Sequence, residues 1–163
     1  MSVERIYTRA LPGGPVLEHE RIRVVAGSGI LGDRYYGKDD EPGQNITFIE
    51  AEEIEAFLTE HGQPHDLSLT GRNVVTRGVR LNELVDREFT VGNVRFRGVT
   101  LCEPCRCLGE AMKATGLSPA KVIRRLVHRA GLRADAVTSG EIAVGARIER
   151  ITHRKEGNGK PVT

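Results

Sequence analysis

"REFTVGNVRFRG", residues 87–98, is the stretch whose reading decides the fold. With Gly92-Asn93 as a two-residue turn, Val91 faces Val94 and Phe89 faces Phe96 on one side, while Thr90–Arg95 and Glu88–Arg97 pair on the other. An apolar face, a charge-matched face and a turn dipeptide that tolerates positive φ agree on a β-hairpin. Beyond Arg97 the apolar parity changes: Val94 and Phe96 are even-numbered, whereas Val99 and Leu101 are odd. Gly98 therefore predicts a bulge at which the strand switches faces before it enters "TLCEPCRCLGE", residues 100–110.

Further strands are expected at Val3–Thr8, Arg21–Val25, Asn45–Ile49 and Asn73–Thr76. In "DAVTSGEIAVGARIERI", residues 135–151, Ile142 and Val144 alternate, Gly145 turns, and Ile148 and Ile151 resume, which predicts a second β pair. Helices interrupt the strands. In "EAEEIEAFLTEHG", residues 50–62, Ile54, Phe57, Leu58 and His61 follow helical spacing and Gly62 is the stop. In "SPAKVIRRLVHRAG", residues 118–131, Ser118 caps and Pro119 takes the first turn. Val122, Ile123, Leu126, Val127 and Ala130 form its buried stripe before Gly131. The opposite face carries Lys121, Arg124, Arg125, His128 and Arg129, a solvated face or an anion-facing rim. A shorter helix is expected from about Pro104 through Leu108, Ala111 and Met112 to Gly116.

Many strands with a few inserted helices do not alternate as an all-parallel sheet requires. The order predicts a mainly β protein, a closed or nearly closed β-barrel with a few peripheral α-helices. Nineteen glycines and seven prolines suit short strands joined by tight turns. Residues 1–151 read as a single domain, and "THRKEGNGKPVT", residues 152–163, lacks apolar anchors and reads as a flexible tail.

A length of 163 residues with 39% hydrophobic content supports one core. The net charge of +2, the 4% aromatic content and the lack of tryptophan speak against a nucleic-acid partner, which asks for a strongly basic face and rings for stacking. No stretch approaches the roughly 20 apolar residues of a membrane span, and the N-terminus has no signal-type apolar run. The chain is therefore expected to be soluble and cytoplasmic, with no membrane partner.

All three cysteines, Cys102, Cys105 and Cys107, fall within six positions. A zinc knuckle wants four ligands, and an iron–sulfur cluster also lacks a fourth thiolate here, because His19, His61, His65, His128 and His153 are scattered. "C-E-P-C" is similar to the redox pair of thioredoxin-type folds, but a hairpin leads into it instead of a βαβ unit. A third reading needs one thiol: Cys105 after Pro104 at a helix start, with Arg106 beside it, a setting that favours a thiolate. The fourth is three small buried hydrophobes.

Four blocks, "GSGILGDRYYG" at 27–37, "GRNVVTRGVRLNEL" at 71–84, "VGNVRFRGVTLCEPCRCL" at 91–108 and "SGEIAVGARI" at 139–148, stand in the order typical of MOSC domains, named for the C-terminal part of molybdenum cofactor sulfurase. The chain resembles the small stand-alone bacterial type over roughly residues 15–150. The resemblance implies a β-barrel with a few helices. It places the family's signature cysteine on Cys105, as a persulfide sulfur carrier or as a ligand of molybdenum. It also places the family's G-D-R on Asp33 and Arg34, and its R-N on Arg72 and Asn73, as cofactor-binding residues.

The same resemblance implies a sulfur carrier or transferase that binds the molybdenum cofactor, molybdopterin. A cysteine desulfurase would be the sulfur donor, and the cofactor or a molybdoenzyme the acceptor. Pyridoxal phosphate, also associated with the family, is expected on the partner desulfurase, since no Schiff-base lysine motif stands here. The alternatives are a molybdenum-dependent reductase of N-hydroxylated compounds and a thiol-based redox- or metal-sensing module. Cys102 and Cys107 are extra to the basic pattern, either resolving partners of Cys105 or inert. Arg34 and Arg72 suit an anionic ligand, because guanidinium groups bind phosphate bidentately. "GDRYYG" also reads as a plain turn in which Asp33 caps its own backbone, and Arg72 as the partner of a surface carboxylate. Gly27, Gly29 and Gly32 would let backbone approach a ligand, although they lie outside any strand–helix phosphate fingerprint.

Overall fold

The computed structural model describes residues 1–113 and 116–152, so the expected tail lies, apart from Thr152, outside the described residues. The predicted hairpin forms in the predicted register. β7 (Glu88–Val91) and β8 (Val94–Leu101) pair as Glu88↔Arg97, Phe89↔Phe96, Thr90↔Arg95 and Val91↔Val94. Phe89 and Phe96 turn inward and meet Phe48 edge-on, each ring centroid 5.4 Å from it. The three rings are fully buried, and each contributes roughly 1.5–3 kcal/mol by leaving water.

The remaining strands are β1 (Ser2–Thr8), β2 (Leu17–His19), β3 (Arg21–Val25), β4 (Gly29–Ile30), β5 (Ile46–Glu50), β6 (Val74–Arg77), β9 (Leu132–Ala136), β10 (Gly140–Ala143) and β11 (Ile148–Arg150). Six of them join β7 and β8 in one strongly curled eight-stranded sheet in the order β11-β7-β8-β9-β5-β6-β1-β2. Its circuit is drawn together by backbone bonds between the start of β1 and the chain entering β11. Val3 N–H donates to Ala146 O, Gly145 N–H to Val3 O and Ile148 N–H to Met1 O. β10, β3 and β4 form a smaller antiparallel sheet. This is the mainly β, barrel-type architecture expected from the sequence.

Two expectations need correction, and two features were not expected. The last two strands exist but do not pair with each other: β10 pairs with β3, and β11 with β7. Local alternation does not choose a partner, and Val144, expected to face inward, is exposed. The third helix, α3 (Pro119–Leu126), ends earlier than its periodicity suggests. Ser118 caps it as expected, but Val127 is exposed and Gly131 lies beyond the helix. β5 and β6 run parallel, joined through α1 (Ala51–Glu60), so one β–α–β crossover sits inside the antiparallel frame. β9 has no counterpart among the expected strands; its Leu132, Ala134 and Ala136 alternate inward, a signal muted by two small alanines.

Gly98 is a bulge for a visible reason. The pairing of β8 with β9 shifts register between Gly98 and Thr100, and a Cβ on Gly98 would lie 2.0 Å from the carbonyl oxygen of Leu84. The chain from a short 3-10 helix (Leu81–Leu84) crosses the strand there, with Asp86 N–H donating to Gly98 O. A second apolar layer lies outside the sheet. It joins Ile54, Phe57 and Leu58 of α1, Leu108 and Met112 of α2 (Arg106–Met112) and Val122 and Leu126 of α3. α2 and α3 pack closely at Gly109, where a Cβ would come within 2.9 Å of Pro119 O. Among the described residues no helix is long and apolar enough to cross a membrane.

Glu50, at the junction of β5 and α1, is buried and accepts from Leu81 N–H at 2.9 Å. Burial pushes its carboxyl above the ordinary 4.5. Between that value and the raised one the folded state holds a proton that the unfolded state has released, so this group's contribution to stability falls as pH rises through the window. Glu50→Gln keeps the acceptor and removes the charge. The variant is expected to gain stability over the parent at pH 7 and to lose the advantage near pH 4, as read by urea denaturation at both pH values. An equal difference at both would show that ionisation of Glu50 costs nothing.

Candidate functional site

A cleft of about 460 Å³ opens where four parts of the chain converge: the end of β1, the β4–β5 connection, the start of β6 and the end of β8. It is lined by Arg9, Asp33, Arg34, Tyr35, Glu41, Gly43, Gln44, Thr47, Gly71, Arg72, Asn73, Thr100, Leu101, Cys102, Glu103 and Arg133. The volume lies in the usual range of small-molecule sites. All four of the sequence-predicted binding residues, Asp33, Arg34, Arg72 and Asn73, stand on its wall although nearly forty positions separate the two pairs.

Their roles divide. Asp33 is buried and spends its carboxylate on the fold: Oδ1 accepts from Arg9 N–H at 3.1 Å and Oδ2 from Tyr35 N–H at 3.1 Å. Asn73 bridges three segments. Its Nδ2 donates to Tyr7 O at 3.1 Å and to Asp33 Oδ1 at 3.4 Å, and its Oδ1 accepts from Thr47 N–H at 3.1 Å. These two side chains brace the wall. The turn reading of Asp33 is therefore correct in part: it does cap Tyr35, but it also ties the loop to the end of β1. Gly29 likewise serves the fold and not a ligand, because its missing Cβ would stand 2.5 Å from Asn45 O.

The guanidinium groups are the part left to meet a ligand. Arg72 uses Nε on Ala130 O at 3.0 Å and forms no ion pair among the described residues, contrary to the surface-carboxylate reading. Arg9 and Arg34 also have no carboxylate partner among the described residues, and Arg34 lies over the ring of Tyr35 at 4.8 Å. Arg133 is anchored to Gly43 O at 3.1 Å and pairs with Glu41 at 3.0 Å, which holds the Glu41 carboxyl below its ordinary range. Gln44, in the same wall, has a buried Oε1 with no hydrogen-bond partner among the described residues. No lysine lines the cleft among the described residues.

The cysteines separate. Cys102 is only 4% exposed, stands in the cleft wall and is held by its N–H on Gly131 O at 2.8 Å. Burial pushes its thiol up, opposed by the nearby Arg72 and Arg133 guanidiniums. Cys105 is exposed and occupies the N-cap position of α2 in extended backbone, and its side chain caps nothing. The lining reaches Glu103 and stops short of Cys105. Cys107, in the first turn of α2, is also exposed. Among the described residues no group of three or more His, Cys, Asp or Glu side chains is arranged to hold a metal ion.

Three cleft residues, Arg9, Arg133 and Gln44, carry no sequence signal that marks them as such, and Cys102, singled out in the cysteine cluster, carries none that places it in the cleft. Arg9 and Arg133 stand in no local motif, and only the pairing of β9 with β5 and β8 brings Arg133 to this wall.

Residues 33–149 match the family model described as MOSC domain. No curated protein is matched. Among solved structures, the YuaD protein of Bacillus subtilis superposes with a TM-score of 0.79 at 18% identity, covering 94% of this chain and 96% of that one. YiiM of Escherichia coli follows at 0.66 and 13% identity, covering 96% of this chain and 72% of that one. YiiM of Geobacillus stearothermophilus gives 0.65 at 15%, with coverage of 96% and 75%. At these identities the three establish likeness of fold.

Proposed function

The chain belongs to the MOSC domain family, and from that premise we propose that it is a sulfur-transfer protein that binds the molybdenum cofactor in the guanidinium-lined cleft and carries persulfide sulfur on Cys105. The family is associated with molybdenum-cofactor and sulfur chemistry in general. The observation that carries the reading to this chain is the cleft itself. Three arginines without carboxylate partners among the described residues face one small-molecule volume, beside a connector that presents an exposed cysteine.

The donor set fits the cofactor. A pterin phosphate and dithiolene are anionic, and Arg9, Arg34 and Arg72 offer planar, permanently charged forks to them. When bound, the cofactor supplies the molybdenum centre that accepts sulfur. This chain's own residues do the rest. Asp33 and Asn73 hold the loop and strand that carry Arg34 and Arg72, and Tyr35 backs the Arg34 guanidinium. Cys105, open to solvent, receives the sulfane sulfur of a donor persulfide by thiolate attack. The donor is a partner cysteine desulfurase, which also holds the pyridoxal phosphate.

The test is direct. After incubation with a cysteine desulfurase and isotopically labelled cysteine, wild-type protein is expected to carry labelled sulfur on Cys105 and Cys105→Ala to lose that label. Equal labelling of the two would sink the reading.

A further inference from the structure

One four-residue connector, Cys102–Cys105, carries a cysteine at each end, one in the cleft wall and one outside the lining. Cys102 lines the cleft and is closed to bulk solvent, while Cys105 is exposed at the start of α2 and outside the lining. We propose that the two work in series: Cys105 takes sulfane sulfur from a donor at the surface, and Cys102 receives it and presents it inside the cleft. The inference rests on the sulfur-carrier reading above and adds to it a second sulfur-bearing residue.

Access is the argument. Cys102 is 4% exposed, which closes it to the active-site loop of a protein donor and so to direct loading. A ligand held by Arg34 and Arg72 touches the wall at Cys102, and the lining that this connector contributes ends at Glu103. Three residue steps separate the cysteines, at most roughly 10 Å between their Cα atoms, so the transfer brings the Cys105 end of the connector toward Cys102. Cys102 is fixed by its N–H bond to Gly131 O, whereas the Cys105 side chain makes no capping bond that would hold it.

The step is balanced without an oxidant. The Cys102 thiolate attacks the outer sulfur of the Cys105 persulfide. One S–S bond forms on Cys102, the S–S bond on Cys105 breaks, and Cys105 leaves as a thiolate that takes up the proton Cys102 gave away. One persulfide and one thiol yield one persulfide and one thiol. Arg72 and Arg133 stand where the charge on Cys102 develops, and they oppose the burial that otherwise keeps its thiol protonated. Once ligand fills the cleft, sulfur on Cys102 is shielded from reductants in bulk water.

The full-length protein is loaded with a cysteine desulfurase and labelled cysteine, then alkylated at intervals. Tryptic cleavage at Arg97 and Arg106 leaves both cysteines on one peptide, so fragmentation must assign the label on either side of Glu103-Pro104. In wild type the label is expected first on Cys105 and then on Cys102. In Cys105→Ala the label on Cys102 is expected to fall about tenfold or more, because direct attack is closed. Cys102→Ala is expected to retain label on Cys105, and Cys107→Ala to behave as wild type. Label that stays on Cys105 and never reaches Cys102 overturns the relay alone, as does equal Cys102 labelling in wild type and Cys105→Ala. No label on Cys105 overturns the carrier reading and the relay together. The wild-type time course decides the matter even if a variant folds poorly.

Discussion

Gly131→Ala is expected to cost this protein roughly 3–5 kcal/mol, the sum of a strained backbone and a backbone overlap. Gly131 has φ +106°, outside the regions that L side chains occupy without strain. A Cβ there would stand 2.1 Å from the carbonyl oxygen of Phe48 and 3.2 Å from its carbonyl carbon, and neither atom can swing aside as a side chain would. Phe48 is the ring on which Phe89 and Phe96 pack, so a shift of β5 there is passed to the centre of the core. Gly131 O is also the acceptor for Cys102 N–H, which ties this glycine to the cysteine connector. The expected result is a melting midpoint lower by about 6–20 °C, with exposure of the Cys102 thiol to alkylation under conditions where the parent protects it. A variant within about 1 kcal/mol of the parent would show that the Phe48 backbone yields freely.

The second large effect is expected at the cleft. Replacing Arg34 and Arg72 together by alanine removes two guanidiniums that form no ion pair among the described residues. A hydrogen bond to a charged group contributes about 1.5–3 kcal/mol, so their joint loss is expected to weaken the proposed binding of the molybdenum cofactor by about a hundredfold or more. Raising the salt concentration should weaken the parent's binding and barely affect the variant's. Arg21→Ala is the control, since Arg21 lies on β3 and pairs with Glu141 away from the cleft. Calorimetric titration of the three proteins checks this, and a thermal melt of the double variant separates lost binding from the loss of the Arg72–Ala130 bond. A loss below about threefold would place the ligand elsewhere.

Much of the frame is legible in the sequence. The β7–β8 hairpin is readable because two strands and their turn lie in fourteen consecutive residues, so pairing, charge matching and turn chemistry all act locally. The bulge at Gly98 is visible as a change of parity, but its cause is not, since the Leu84 carbonyl arrives from another part of the chain. β10 and β11 are each readable as strands but not as partners of β3 and β7, because alternation marks a strand's face and carries no information on its neighbour. The end of α3 is hidden for a related reason. Val127 keeps helical spacing, but the chain must leave the helix to bring Gly131 against Phe48.

The site divides along the same line. Asp33, Arg34, Arg72, Asn73 and Cys105 stand in short motifs, and resemblance to a family finds them residue by residue. Which of them braces and which is free to bind is a matter of hydrogen-bond partners drawn from Tyr7, Thr47 and Ala130, and no local pattern holds that information. By itself the sequence determined a β-rich chain with a core, a bulged hairpin leading into three clustered cysteines, and the family to which those motifs belong. Only the tertiary structure decided that Cys102 faces the cleft and Cys105 the solvent. Burial depends on what arrives from afar: Gly131 O holds the Cys102 backbone and the charges of Arg72 and Arg133 stand near its thiol, while Cys105 is exposed at the start of its short helix.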